Sequence, residues 1–430
     1  MTEPAAGTPA WPAERAGRVL LVMSFTDALG TGLFLAGSVL FFTRVLGLSG
    51  AQIGLGLSLS AVTGVLCTVP LARLADRLGS RRTLVALLLW RGSGFLAYLF
   101  VSGFPSFVAV ACLLGAAEWA VGPVLQGLVA GVAQGGAGVR AMARMNVVRN
   151  AGFACGALMA TVAIAAKTAV AYRGLVAADA ASFFLAALLL ATLQLPSRPR
   201  AAASSAPAAR VPDPAYLLLA AGNGILFLHT VVLTVGLPLW IATRTHAPAG
   251  LIGAVVLVNT ALAMLLGVRL SRGVEGVRTS AARQHRSGWC LAAGCALVAL
   301  TGGLGAAGAG ALLLVATVAL TLAEVWQSIG GYGLSYSLAP QVQRTYYLAV
   351  YNLGEPVAVI LGPALFGAVV VGSGAVGWLA AGAVFAAAGI AVRALASRLA
   401  PTPTPTPTPT PAALAGTGAD RTDERGLRHA

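Results

Sequence analysis

The sequence predicts an all-α membrane protein: twelve transmembrane helices in two pseudo-symmetric six-helix bundles. Three observations carry this. The 430 residues are 58% hydrophobic and only 10% charged, with a mean hydropathy of +0.84, which leaves too little charge to cover a water-soluble surface. Twelve apolar runs recur along the chain, most of them long enough to cross a hydrocarbon core of ~30 Å as a helix. Short fragments of the first six runs return, in the same order, in the last six. Open strands would leave backbone groups unpaired in lipid, so helices are the spanning element.

Residues 1–17 are polar, with three prolines and two acids, and read as a cytoplasmic N-terminal segment. The run at 18–43 exceeds a signal-peptide core and reads as an uncleaved first helix. Further runs follow at 51–71, 84–103, 105–133, 147–166 and 171–195, completing a first bundle over 18–195. Residues 196–214, rich in Ala, Ser, Pro and Arg, form the longest polar break and read as a flexible cytoplasmic linker. The second bundle, 215–396, takes the runs at 215–241, 248–268, 287–304, 309–337, 346–371 and 375–396; the ninth is short and glycine-rich. The tail at 397–430 contains PTPTPTPTPTP at 401–411, an extended polyproline II rod of roughly 30 Å, and then a charged, disordered stretch.

Arginine distribution sets the orientation. With the N-terminus in the cytoplasm, 23 of the 28 basic residues fall in inside segments and four outside, and Arg91 lies within a span. The positive-inside rule then puts both termini in the cytoplasm of a plasma-membrane protein. The same rule accounts for the net charge of +15 without nucleic acid. Lys167 is the only lysine, a bias of GC-rich, bacterial genomes. Cys67, Cys112, Cys155, Cys290 and Cys295 sit inside apolar runs without a CxxC pair and read as small apolar fillers. No GxxxxGK[ST] loop, metal-ligand spacing or nucleophile-plus-base pair occurs, so no ATP drive, metal, cofactor or enzyme activity is expected. The Gly30-Thr31-Gly32 string belongs to a membrane helix.

The internal repeat is specific in its order. Arg73-Leu74-Ala75 lies 196 positions before Arg269-Leu270-Ser271, and Asp27 and Asn223 share that offset. Ala117-Glu118-Trp119 returns as Ala323-Glu324-Val325-Trp326, and Asn150-Ala151-Gly152 as Asn352-Leu353-Gly354. Between the second and third spans, Ala72-Arg73-Leu74-Ala75-Asp76-Arg77-Leu78-Gly79-Ser80-Arg81-Arg82 holds four arginines and an acid, and reads as a turn in water.

That turn resembles the loop 2–3 signature of the major facilitator superfamily, G-x-L-a-D-R-x-G-r-[RK]: Leu74, Ala75, Asp76, Arg77, Gly79 and Arg81 match, and Ala72 replaces the usual first glycine. Within that superfamily the chain looks most like bacterial twelve-span drug:proton antiporters. It departs from them in the fifth span, where Gly152-Phe153-Ala154-Cys155-Gly156 lacks the usual proline, and in the fourth, where Glu118 stands in the region of the usual arginine. The resemblance implies secondary transport of a small molecule with protons across the lipid bilayer, without an obligate protein partner. It also implies a conformational latch at Asp76, Arg77, Gly79 and Arg81, with Asp76 meeting the positive N-terminal end of the eleventh helix near Arg344 to Tyr346. Arg77, Arg81 and Arg82 have a plainer alternative role, anchoring to anionic lipid.

Ionisable groups inside spans are functional suspects because burying charge is costly. They are Asp27, Arg91, Glu118, Asp179, Glu324 and Glu355. At about 1.5 Å per residue, Asp27 and Arg91 both lie roughly 12 Å from the cytoplasmic end, and Glu118 reaches a similar depth, so either acid can pair with Arg91. A carboxylate out of water holds its proton tightly and a nearby guanidinium loosens it, the basis of proton coupling; a fixed ion pair that staples helices is the structural alternative. Helices one, four, seven and ten line the cavity in the superfamily, and here they carry Asp27, Glu118, Asn223 with His229, and Glu324 with Gln327. Trp119 and Trp326 beside the glutamates read as aromatic walls for an apolar or cationic ligand, or as packing residues. His229 reads as a proton sensor or a satisfied helix histidine. Glu355-Pro356 and Gly362-Pro363 mark a kink in the eleventh span that can gate. Asp179, nearer the outer end of the sixth, reads as packing between helices.

The expected function is proton-coupled efflux of small amphiphilic compounds by alternating access. Proton-linked uptake or uniport of a metabolite is the alternative within transport, and a non-transporting receptor or assembly partner the alternative outside it.

Overall fold

The computed structural model describes residues 14–133, 136–193, 212–248 and 250–400. Most of the expected linker, and the PTPTPTPTPTP segment, lie outside the described residues. All regular structure among the described residues is helical. Twelve long helices succeed one another: α1 Arg15–Val45, α2 Gly50–Leu78, α3 Ser80–Tyr98, α4 Phe104–Val132, α5 Gly136–Ala166, α6 Ala169–Ala191, α7 Pro214–Arg244, α8 Leu251–Leu270, α9 Gly276–Leu300, α10 Ala306–Leu338, α11 Arg344–Val370 and α12 Gly374–Leu399. Ten are long and apolar enough to cross a membrane; α3 and α9 fall short because each carries three arginines.

Local chemistry sets several ends. Ser49 and Gln52 form a reciprocal capping box at the start of α2. Thr168 caps α6, and Asp213 caps α7 just before Pro214, which needs no N–H in a first turn. Gly79 separates α2 from α3 at φ +94°, a conformation that penalises any side chain.

Three boundaries differ from expectation, each for the same reason. Helix α2 runs through Asp76 to Leu78, so the basic stretch at 72–82 is helix on both sides of Gly79 rather than an open turn. Helix α5 begins at Gly136 instead of 147, and α9 at Gly276 instead of 287. Hydropathy ends a run where arginines begin, but arginine is a good helix former, and its long stem lets a helix continue beyond the apolar layer. Arg149, one of the 23 basic residues counted to inside segments although the run at 147–166 contains it, lies well inside α5.

The packing repeats. In the first half, α1 packs on α5 and α6, α2 on α4, and α3 on α4 and α6. In the second, α7 packs on α11 and α12, α8 on α10, and α9 on α10 and α12. The halves meet through α5 with α8 and through α2 with α11. Small residues permit close crossings: a Cβ on Gly156 would fall 2.0 Å from the Leu29 carbonyl of α1, and one on Gly354 2.3 Å from the Gly224 Cα of α7.

Candidate functional site

The first half holds a charged cluster at the centre of its helices. Arg91 on α3 is buried and has two carboxylate partners: its Nη1 donates to Asp27 Oδ1 of α1 (3.2 Å), and its Nη2 lies 2.8 Å from Glu118 Oε2 of α4. The expectation that either acid pairs with Arg91 becomes a bridge to both. The second Asp27 oxygen accepts from Arg149 Nη1 of α5 (3.3 Å). Asp27 is thus enclosed by two guanidinium groups, while the Glu118 side chain is 46% exposed and Arg149 42%. The Arg91 guanidinium also lies over the Phe183 ring of α6, 4.1 Å from its centroid.

Asp179, expected to be simple packing, belongs to this cluster. It is fully buried on α6, within electrostatic reach of Arg91, Asp27 and Glu118. Its carboxylate touches Gly30, where a Cβ would sit 2.6 Å from Oδ1.

The second half carries the neutral counterpart on the equivalent helices. Asn223 of α7 accepts through Oδ1 from Gln284 Nε2 of α9 (2.7 Å) and from Gln327 Nε2 of α10 (3.0 Å). All three residues are buried, so Asn223 and Gln327 face this amide cluster. Gln284 was missed because the expected ninth span started three residues later. His229 is buried against its own helix, Nδ1 to the Leu226 carbonyl (3.0 Å) and Nε2 to Thr230 (3.4 Å).

Glu324 stands apart from Asn223 and Gln327. It accepts from Asn259 Nδ2 of α8 (2.7 Å), another residue the sequence reading missed. It borders a cleft between α5, α8 and α10 with Asn146, Asn150, Ser328 and Tyr332. Trp119 packs against Gly64 of α2, and Trp326 is partly buried with its Nε1 enclosed. Glu355 is half-buried on α11, within electrostatic reach of Arg149. The ladder of α11 breaks at Leu353, where Pro356 supplies no N–H to the Asn352 carbonyl, and it widens into a π turn over Leu365–Val370 beyond Gly362 and Pro363.

A second constellation ties the halves together at their arginine-rich end. Both Asp76 oxygens accept backbone N–H groups at the start of α11, from Thr345 and Tyr346, each at 2.9 Å. A carboxylate there answers the orphan donors and the positive end of the helix dipole. Around it, Ser80 Oγ lies 3.4 Å from Thr345 Oγ1, Arg344 donates to the Ala130 carbonyl (3.0 Å), and Asn352 donates to Gln126 (3.2 Å). Arg73 stacks on Tyr346. The other motif residues lie elsewhere: Arg81 donates to the last carbonyls of α6, Leu190 (3.3 Å) and Ala191, and Arg77 is exposed.

The family model of the Major Facilitator Superfamily matches residues 20–280. The chain belongs to the Major Facilitator Superfamily. It is therefore a multi-pass membrane transporter of small molecules. Solved superfamily structures repeat the fold. A bacterial homologue of the iron transporter ferroportin, outward-facing, is 13% identical with a TM-score of 0.67, covering 89% of this chain and 99% of its own. The transporter FucP in its outward conformation is 14% identical at 0.69, covering 90% and 99%. The proton:xylose symporter XylE is 13% identical at 0.65, covering 88% and 94%. At such identities the likeness is one of fold. Among curated protein sequences none matches this chain.

Proposed function

We propose that this superfamily member is a proton-coupled exporter of small amphiphilic compounds, working by alternating access in the plasma membrane of a bacterium with both termini inside. One observation carries the coupling. Glu118 is half exposed, yet it shares buried Arg91 with enclosed Asp27. A proton that reaches Glu118 removes one of the two arms holding Arg91, so protonation at an accessible position changes the forces on three helices at once. Substrate entering between the halves biases the opposite orientation. Glu324 and Tyr332 supply a carboxylate and an aromatic ring on the cleft between α5, α8 and α10 for a cationic amphiphile, and Trp326 lies outside that lining. The Asp76 contacts with α11 favour the conformation in which the arginine-rich end is closed.

Export rather than uptake rests on the resemblance to drug:proton antiporters; the same cluster also serves proton-linked uptake. The test is ethidium transport in proteoliposomes with an imposed pH gradient. Exporters move ethidium against the proton flux, symporters with it, and flux indifferent to the gradient rules out coupling. Replacing Asp27 and Glu118 without effect on flux favours a receptor or assembly role.

A further inference from the structure

Within the charged cluster, three carboxylates surround two guanidinium groups. Asp27 pairs with both Arg91 and Arg149, and Glu118 with Arg91. Asp179 is the third; neither of its buried oxygens has a hydrogen-bond partner on another helix, and Ser182 of the same helix lies within its reach. The neighbouring hydroxyl, Ser182 Oγ, donates instead to the Asp179 backbone carbonyl (2.7 Å). On the other side, the Nε–H of Arg91 is equally buried and equally without a partner. Phe183, one turn beyond Asp179 on α6, holds the Arg91 guanidinium against its ring. An unmatched donor and an unmatched acid are therefore enclosed on adjacent helices. Folded proteins leave buried polar groups unpaired rarely, and an enclosed carboxyl beside an enclosed guanidinium N–H is the costliest kind.

We propose that Asp179 is a proton-carrying residue of the cluster and the second resting place of Arg91. In the arrangement seen here Asp179 holds its own proton, so the cluster of Asp27, Glu118, Arg91, Arg149 and Asp179 is neutral. In the alternative, Asp179 gives that proton up and its carboxylate takes the Arg91 Nε–H. Arg91 leaves Glu118, and Glu118 takes up the proton that Asp179 has released. One proton has moved from an enclosed acid to an accessible one, and the buried charge is unchanged. The charged groups facing Asp179 are Asp27 of α1, Arg91 of α3 and Glu118 of α4, with Arg149 of α5 behind Asp27. This deepens the proton-coupled reading above, on which it rests.

The test is infrared difference spectroscopy of the full chain in phospholipid nanodiscs, between acidic and alkaline buffer. A carbonyl band of a buried carboxylic acid is expected that shifts on ¹³C-aspartate labelling, is indifferent to sodium, is retained in Asp27→Asn and is lost in Asp179→Asn. In Glu118→Gln the freed Arg91 should make the band fade at a pH about one unit or more below wild type. The labelled wild-type chain keeps the test open if Asp179→Asn does not fold. Absence of an aspartate band, its removal by sodium, its survival in Asp179→Asn, or an unmoved titration in Glu118→Gln overturns the proposal. Transport that ignores a pH gradient while the band is present separates failure of the coupled-export reading from failure of the proton site.

Discussion

Arg91 illustrates how much one residue can hold. It touches Asp27 and Glu118 and lies over Phe183, so it joins α1, α3, α4 and α6. Truncating it leaves Glu118 without its partner and enclosed Asp27 with Arg149 alone. Arg91→Ala should cost about 3–5 kcal/mol of stability, seen as a lower Tm of the purified chain. A triple variant, Asp27→Asn with Arg91→Gln and Glu118→Gln, copies the amide chemistry at Asn223, Gln284 and Gln327. It should recover most of that Tm and lose all response of transport to a pH gradient; a Tm no better than that of Arg91→Ala would show that the two clusters are not interchangeable. Asp27, Arg91 and Glu118 were readable because an ionisable residue in an apolar run announces itself. Arg149 was not, because Arg140 and Arg144 precede it and together they look like a loop. The repeat held the missing signal: Asn150 corresponds to Asn352, and Tyr351 before it lies inside a span.

At the scale of the helix, glycine and proline decide where elements approach and bend. The crossing of α7 over α11 is set by Gly224 against Gly354. Gly354→Val should overpack this crossing by about 1–3 kcal/mol and lower the Tm, whereas Gly253→Val, with open space around it, should leave the Tm unchanged. Between α2 and α3, Gly79 stands at positive φ, and Gly79→Val should strain the link that aims Asp76 at α11. That variant should insert normally and transport more slowly. Helix existence was legible for all twelve spans, since burial in lipid demands an apolar run. Helix starts were legible where the apolar run begins with the helix, as at Pro214, Arg344 and Gly374; at 136 and 276 arginines hide a helix that extends past the apolar layer.

For the whole molecule, the two halves are joined at one end by Asp76 with the start of α11 and by flanking side-chain pairs. If the halves rock, these contacts must break each cycle. Asp76→Asn leaves one neutral acceptor for two N–H donors and should weaken the closed arrangement by about 1–3 kcal/mol, slowing ethidium flux in proteoliposomes without loss of insertion. A Ser80→Cys and Thr345→Cys pair should cross-link on oxidation, because the hydroxyls already lie 3.4 Å apart, and transport should stop until a reductant is added. Continued flux through the cross-linked protein would refute rocking at this end. Taken alone, the sequence determined that the chain spans a membrane many times, that its two halves repeat, and which acids lie in apolar surroundings. These follow from local composition, because lipid tests every segment independently. Tertiary packing alone decided that Arg91 bridges two acids, that Arg149 and Asp179 join them, that Asn223 and Gln327 face Gln284, and that Asp76 reaches Thr345 and Tyr346. Partners on different helices depend on rotation and crossing, and no stretch of one helix records which face its neighbour will offer.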